Sequence, residues 1–213
     1  MKTIIFDLDG VIFDSPGRVS KMLYDLYPTM TEEKLQMILS GNFHDELEKF
    51  KLTNTSRLSE QERVEYFKRY TEDKASVPMF DGIQHLIKTL HNKGFNLIIN
   101  TSAFEKNCFP MLEKCNIKEY FNFIATAEVS KSKVDKFQII QDKYGLSKKD
   151  MVFITDTLGD IREADLCGMQ TIAVTWGAQN RENLTVEPHN NLIDVVDTMK
   201  ELEDVIGRYF SLD

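Results

Sequence analysis

The chain has 213 residues, 42% hydrophobic and 28% charged, with only five prolines, an ordinary soluble composition for one full-sized domain plus a small insertion. Its formal net charge is −8, which argues against a nucleic-acid partner, since a phosphate backbone calls for a basic face. No apolar run is long enough to cross a bilayer, so no membrane partner is expected.

The first predicted element is a strand over 2–7, rich in β-branched and aromatic side chains, that runs straight into Asp7-Leu8-Asp9-Gly10. Along an extended chain residues i and i+2 face the same way, which predicts the carboxylates of Asp7 and Asp9 side by side. Like charges so placed repel unless a cation sits between them or one holds a proton. An Asp-Gly hairpin turn is the alternative, but no partner strand follows. Some eighty residues then separate Gly10 from Phe95, far more than one crossover helix requires. Within them Ser15-Pro16 reads as an N-cap followed by proline at the first helical position. Thr31 reads as another helix start, and Ser59-Glu60-Gln61-Glu62 as a capping box. Residues 15–79 are therefore expected to form a small all-helical cap inserted after the first strand. That places it over the carboxyl ends of the strands, where open α/β sheets bind ligands, as a lid.

Further strands are expected at 95–101, 121–126, 151–156 and 170–175, with a sixth at 192–196. Helical patterns lie between and after them at 82–93, 104–115, 134–144, 159–167 and near 198–210, with Gly94, Gly145 and Gly168 as stops. Alternating strands and helices predict an α/β fold: a Rossmann-like parallel sheet covered by helices on both faces, built from 1–14 and 80–213. The three cysteines, Cys108, Cys115 and Cys167, read as reduced thiols, and the chain opens directly into a strand; both point to the cytoplasm. Residues 15–79 carry 10 Lys and Arg against 11 Asp and Glu, leaving 16 against 23 elsewhere. The acidic surplus thus falls on the part with the clustered aspartates, which fits a site for a divalent cation. No feature of the chain specifies an oligomeric state.

Four groups of polar residues follow predicted strands or open a helix: Asp7 with Asp9, Thr101-Ser102, a lysine among Lys131, Lys133 and Lys136, and Asp156 with Asp160. A parallel sheet would bring all four to one edge. Carboxylates, hydroxyls and a lysine together suit phosphoryl chemistry. Each has a plainer reading: Asp156 and Asp160 as acids at a helix N-terminus, the hydroxyls as strand ends, the lysines as solvated charges.

On Phe6-Asp-Leu-Asp-Gly-Val-Ile-Phe-Asp-Ser15, on Phe80-Asp-Gly-Ile with Leu-His-Asn-Lys-Gly94, and on Thr171-Ile-Ala-Val-Thr-Trp-Gly177, the sequence resembles the haloacid dehalogenase-like superfamily, in its phosphatase branch with a helical cap, of the phosphoglycolate phosphatase type. The resemblance implies Asp7 as nucleophile, forming an aspartyl-phosphate, and Asp9 as general acid and base. It implies Mg²⁺ held by Asp7, Asp156 and the backbone carbonyl of Asp9. Thr101 and Ser102 would bind phosphate, Lys133 would neutralise it, and Asp160 would support the metal or orient Lys133. Lys133 is favoured over Lys131 and Lys136 by alignment, because Lys-Val-Asp-Lys136 stands where the family often shows Lys-Pro-Asp-Pro; both prolines are missing. Thr155 stands where the family often has Gly, and Asp14 is expected to steer the hinge.

The expected activity is Mg²⁺-dependent hydrolysis of a small phosphorylated metabolite, with sugar phosphates, phosphoglycolate and nucleotide monophosphates all open. A phosphomutase is the alternative; a phospho-accepting signalling domain or a non-catalytic binding protein fits less well. A dehalogenase would lack Asp9, and a phosphonate-cleaving enzyme would need a cap lysine of depressed pKa, for which nothing argues at Lys21 or Lys49. Within the cap, Arg18, Lys21, His44 and Lys49 could reach over the site, while Tyr24, Phe43 and Phe50 could shape it.

Overall fold

Apolar runs with no polar face need cover on both sides, and that requirement sets the architecture. The computed structural model describes residues 1–53 and 56–211, so positions 54, 55, 212 and 213 of the expected cap and core segments lie outside the described residues. Among the described residues six strands form one parallel sheet: β1 (Thr3–Phe6), β2 (Asn96–Asn100), β3 (Phe123–Ala125), β4 (Met151–Thr155), β5 (Thr171–Val174) and β6 (Leu192–Val196). Their order is β3-β2-β1-β4-β5-β6. Every residue of β1, β2, β4 and β5 is buried.

Among the described residues the segment between β1 and β2 holds four inserted helices ahead of one crossover helix: α1 (Pro16–Leu26), α2 (Glu32–Leu39), α3 (Phe43–Thr53) and α4 (Glu60–Lys74). The others are α5 (Ile83–Asn92), α6 (Glu105–Lys114), α7 (Lys133–Tyr144), α8 (Leu158–Leu166), the single turn α9 (Arg181–Leu184) and α10 (Met199–Tyr209). Side chains alternate across the strands, so each face has its own core. Ile4, Phe6, Leu97, Ile99, Val152 and Ile154 pack with α5, α6 and α10. Ile5, Ile98 and Phe153 meet Phe137 and Ile140 of α7 and Ala164 of α8 on the other side.

The helical insertion has a separate core of Leu23, Leu26, Tyr27, Met30, Leu35 and Ile38. Its two connections run side by side: Asp14 N–H donates to the Pro78 carbonyl at 3.0 Å, Phe80 N–H to Ile12 O at 3.1 Å, and Phe13 bridges Met79. Asp14 thus joins the hinge through its backbone. The capping box of α4 is formed in both directions, and Thr31 accepts from Lys34 N–H. Ser15 departs from expectation. It precedes α1 with Pro16 at the first position, but its hydroxyl makes no cap bond.

A second departure concerns the first strand. It ends at Phe6, one residue short of the expected range, and the chain turns at once: Ile12 N–H returns to Leu8 O at 3.0 Å and Gly10 N–H to Phe13 O at 2.9 Å. Strand alternation therefore does not place Asp9; a compact turn does. The turn α9 carried no long apolar period and escaped the sequence reading. Among the described residues no helix is long and apolar enough to cross a membrane.

Ile5 lies on the central strand, level with Ile98 and Phe153 and wholly buried. Ile5→Ala is expected to lower unfolding stability by about 2–5 kcal/mol, through lost transfer energy and the cavity left behind. Urea denaturation followed by circular dichroism measures it.

Candidate active site

From β1 the chain crosses to β2 and β3 on one side, and it fills β4 to β6 on the other. The strand order therefore diverges beside β1, and the crevice at the carboxyl ends there is the expected ligand site of an open α/β sheet. Asp7 and Asp156 emerge into it from β1 and β4. Asp7 is held by its N–H on Ile154 O at 2.9 Å, and its Oδ1 accepts Leu8 N–H at 2.7 Å. Its Oδ2 lies 2.9 Å from Lys133 Nζ.

Lys133 is the first residue of α7 and 1% exposed. Its ammonium also lies 2.6 Å from Asp160 Oδ2, which in addition accepts the Thr155 hydroxyl at 2.6 Å. One buried cation thus serves two carboxylates. Burial works against the Lys133 charge, but Asp160 and Asp7 outweigh it and hold the ammonium above its ordinary value. Burial raises Asp160 too, but Lys133 and the Thr155 hydroxyl overcome this and bring it below the usual carboxylate range. Asp7 has the smaller share of the cation. Burial, with the charges of Asp160 and Asp156, raises it well above that range despite Lys133.

Asp156 is not the helix cap; Thr157 is, accepting Asp160 N–H at 3.4 Å. Asp156 lies between two glycines. A Cβ on Gly10, at φ +78°, would stand 1.8 Å from its Oδ2, and one on Gly177 2.3 Å from the same atom. That Oδ2 accepts Ala178 N–H at 2.7 Å, while Oδ1 is buried and has no partner. Burial pushes its carboxyl up to about 7. A buried acceptor without a donor calls for an explanation, and a cation beside the Asp7 carboxylate supplies one. Among the described residues no three His, Cys, Asp or Glu side chains cluster as a ligand set. Mg²⁺ does not require one, because it takes one or two carboxylates with water and phosphate oxygens.

Asp9 turns toward the insertion. Its Oδ2 lies 2.7 Å from Nζ of Lys74, the last residue of α4 and 3% exposed, and its Oδ1 accepts the Ser15 hydroxyl. The nearest charge to each motif aspartate is therefore a lysine, not the other aspartate. Lys74 escaped the sequence reading: it closes a strongly polar helix, Glu60–Lys74, where a lysine ordinarily meets solvent. Ser15 was legible only as a cap.

Thr101 and Ser102 follow β2. Thr101 Oγ1 accepts Ala103 N–H at 3.0 Å, which leaves its hydroxyl proton available. Lys136 is buried and donates to Thr101 O at 2.6 Å, pushed down to about 8 by burial and by the neighbouring charge of Lys133. Lys131 is exposed. Of the three candidate lysines, Lys133 meets Asp7 and Asp160 while Lys136 braces the Thr101 loop.

The turn between α2 and α3 sits on the core. Asn42 Nδ2 donates to Glu163 Oε1 at 2.9 Å, an oxygen that also accepts Lys133 N–H at 2.9 Å. His44 Nε2 donates to Ser102 O at 3.0 Å. Between insertion and strand ends lies a cavity of about 280 Å³, with Asp7, Asp9, Thr101, Lys133 and Asp156 on its floor. Of the insertion side chains named from sequence, His44 and Phe43 line it. The others do not: Arg18 and Lys21 border a separate hollow, Lys49 is paired with Glu46 at 2.6 Å, Tyr24 bonds Glu32 at 3.1 Å, and Phe50 packs edge-on against Tyr27.

The model of the haloacid dehalogenase-like hydrolase family matches residues 4–174. The chain is similar to the tyrosine-protein kinase PtkA of Mycobacterium tuberculosis, 26% identical over 213 residues covering 96% of this chain and 72% of that protein. It is similar to the phosphoglycolate phosphatase of Pseudomonas putida, 21% identical over 207 residues covering 91% and 76%. Its fold matches that of a haloacid dehalogenase-like hydrolase of Streptococcus pneumoniae, with a TM-score of 0.73 at 19% identity over 96% and 97% of the two chains. The chain belongs to the haloacid dehalogenase-like hydrolase family.

Two outcomes test this geometry. Gly177→Ala forces Asp156 from its seat and is expected to cost about 1–3 kcal/mol in urea denaturation. His44 is held below its ordinary 6.5 by burial, with Lys131, Lys136 and Lys51 adding to the effect. The unfolded chain then takes up its proton first, so stability is complete above pH 6.5 and is lost as pH falls below it. His44→Gln keeps a donor for Ser102 O and is expected to lose less stability than wild type between pH 7 and 5.

Proposed function

We propose that this hydrolase is a phosphatase of small phosphorylated metabolites, working through an aspartyl-phosphate on Asp7, in the cytoplasm. The observation that carries the reading is the placement of Asp7 and Asp9 on one cavity floor with separate cationic partners, Lys133 for Asp7 and Lys74 for Asp9. Separate partners allow separate roles. Similarity to phosphoglycolate phosphatases supports hydrolysis, while similarity to a tyrosine-protein kinase makes the phosphoryl acceptor part of the test.

In the first step an Asp7 carboxylate oxygen bonds to phosphorus as the ester P–O bond breaks, and Asp9 gives its proton to the leaving oxygen. In the second, Asp9 takes a proton from water, whose oxygen displaces Asp7 and frees inorganic phosphate. Ser15 and Lys74 fix the direction of Asp9 throughout. The Thr101 hydroxyl and Ser102 N–H would hold phosphate oxygens, and Lys133 would offset their charge and that of Asp7. Asp160 and Thr155 position Lys133. Thr155, where a glycine is usual in the resemblance, therefore has work here for its hydroxyl.

Asp7, Asp156 and the Asp9 carbonyl would hold Mg²⁺, and the unpartnered Asp156 Oδ1 fits that assignment. When bound, the ion supplies positive charge that favours ionised Asp7 and draws off charge from the phosphate. The insertion, residues 15–79, acts as the cap: its 40–44 turn seats on the core and shuts water from the floor.

Phosphate release from a panel of monoesters with Mg²⁺ is the test. Asp7→Asn is expected to lower kcat at least about 10³-fold, and Asp9→Asn roughly 10²- to 10⁴-fold; chelation by EDTA abolishes turnover. Undiminished release from Asp7→Asn overturns the nucleophile. Phosphate retained on Asp7 without release to water assigns a transferase such as a phosphomutase instead.

A further inference from the structure

Above the reacting groups the cavity wall changes character. Six side chains on it are rings: Tyr27, Phe43, His44, Phe67, Tyr70 and Phe104. Phe43 meets His44 edge-on at 5.7 Å, His44 meets Phe104 at 5.9 Å, and Phe67 meets Tyr70 at 6.5 Å. Leu23 and Leu47 lie among them. Lys74 and Asp160 also reach the floor; beyond it the charged side chains are Glu48, Lys51, Arg63 and Lys131, all exposed, and Glu48 pairs with Lys51 at 2.9 Å. Asn107 is engaged by the Thr71 hydroxyl at 2.8 Å.

The layers are therefore a charged floor, an apolar ring-lined middle and a charged mouth. A phosphate on the floor puts the ester's carbon skeleton in the middle layer. There a sugar or glycolate would find only the Ser20, Tyr27 and Tyr70 hydroxyls, Ser102 and the Asn107 amide, against a wall otherwise of rings and aliphatic side chains. An aromatic body instead finds ring edges and faces to pack on. Size agrees: an apolar cavity of about 150 Å³ holds benzene, and this one is about 280 Å³.

Resting on the phosphatase reading, we infer that the substrate is a phosphate monoester whose alcohol carries an aromatic ring, rather than phosphoglycolate or a sugar phosphate. The ring sits among Phe43, Phe67 and Tyr70, and any polar tail reaches Lys51, Arg63 or Lys131 at the mouth.

Phenethyl phosphate and ethyl phosphate test this, since both release a primary alcohol and differ in the ring. The expected ratio of kcat/KM is on the order of 10- to 100-fold in favour of phenethyl phosphate, the range for burying one phenyl group. Phe67→Ala is expected to reduce that ratio several-fold. Equal kcat/KM for the two esters, or a Phe67→Ala enzyme with the full preference, overturns the inference while the phosphatase reading stands. Glucose 6-phosphate or phosphoglycolate preferred over phenethyl phosphate overturns it also. If none of these four esters is hydrolysed the activity reading fails, and calorimetric titration of Asp7→Asn decides the pocket alone. Phenethyl phosphate binding at least tenfold tighter than ethyl phosphate supports it; equal binding overturns it.

Discussion

One buried ammonium shared by two carboxylates organises the site. Lys133 Nζ is within 2.9 Å of Asp7 and 2.6 Å of Asp160, and such a group is tolerable in a core only with full electrostatic and hydrogen-bond compensation. Asp160 gains a second donor at the same oxygen from the Thr155 hydroxyl, while Asp7 does not. Asp7 is left with an incomplete share, in a place where Asp156 adds further negative charge. The protein alone under-compensates Asp7, and the orphaned Asp156 Oδ1 lies on the same floor. Both deficits fit positive charge supplied from outside the chain.

The second lysine does different work. Lys74 belongs to the insertion, Asp9 to the turn after β1, and their 2.7 Å pair crosses between the two cores. The Ser15 hydroxyl reaches Asp9 from the start of α1, close to the hinge in which Phe13 bridges Met79. Asp9 is thus oriented by residues from both ends of the insertion. Asp7 and Lys133, by contrast, are held at the sheet edge by elements of the core alone.

The insertion also sets what lies above the floor. Its inner face belongs to a cluster in which Leu23, Leu26, Tyr27 and Ile38 are buried, and the same side chains border the cavity. Part of the cavity wall is therefore an extension of a hydrophobic core. Among the insertion's polar contacts with the sheet domain, Asn42 on Glu163 and His44 on Ser102 hold it against the core at the edge of that wall.

Much of this was legible in the residues. Strands of Val, Ile and Phe without a polar face could only be interior strands of a covered parallel sheet, and glycine stops marked the helices between them. Asp7, Asp156, Thr101 and Lys133 were locatable because each follows a strand or opens a helix, and a parallel sheet carries all such positions to one edge. The order of the strands, with β1 between β2 and β4, was decided by tertiary packing. Lys133 was favoured over Lys131 and Lys136 by the resemblance alone; its meeting with Asp7 and Asp160 arises from tertiary packing, since three lysines within six residues differ locally only in where the helix start points them. Lys74 and Ser15 gave no local signal: one ends a polar helix and the other resembles a cap, and their partner Asp9 is distant along the chain from Lys74. Local pattern specifies elements and their ends because it depends on neighbours a few residues apart. Ion pairs between remote segments, and the apolar wall over the floor, exist only once the insertion has folded back onto the sheet.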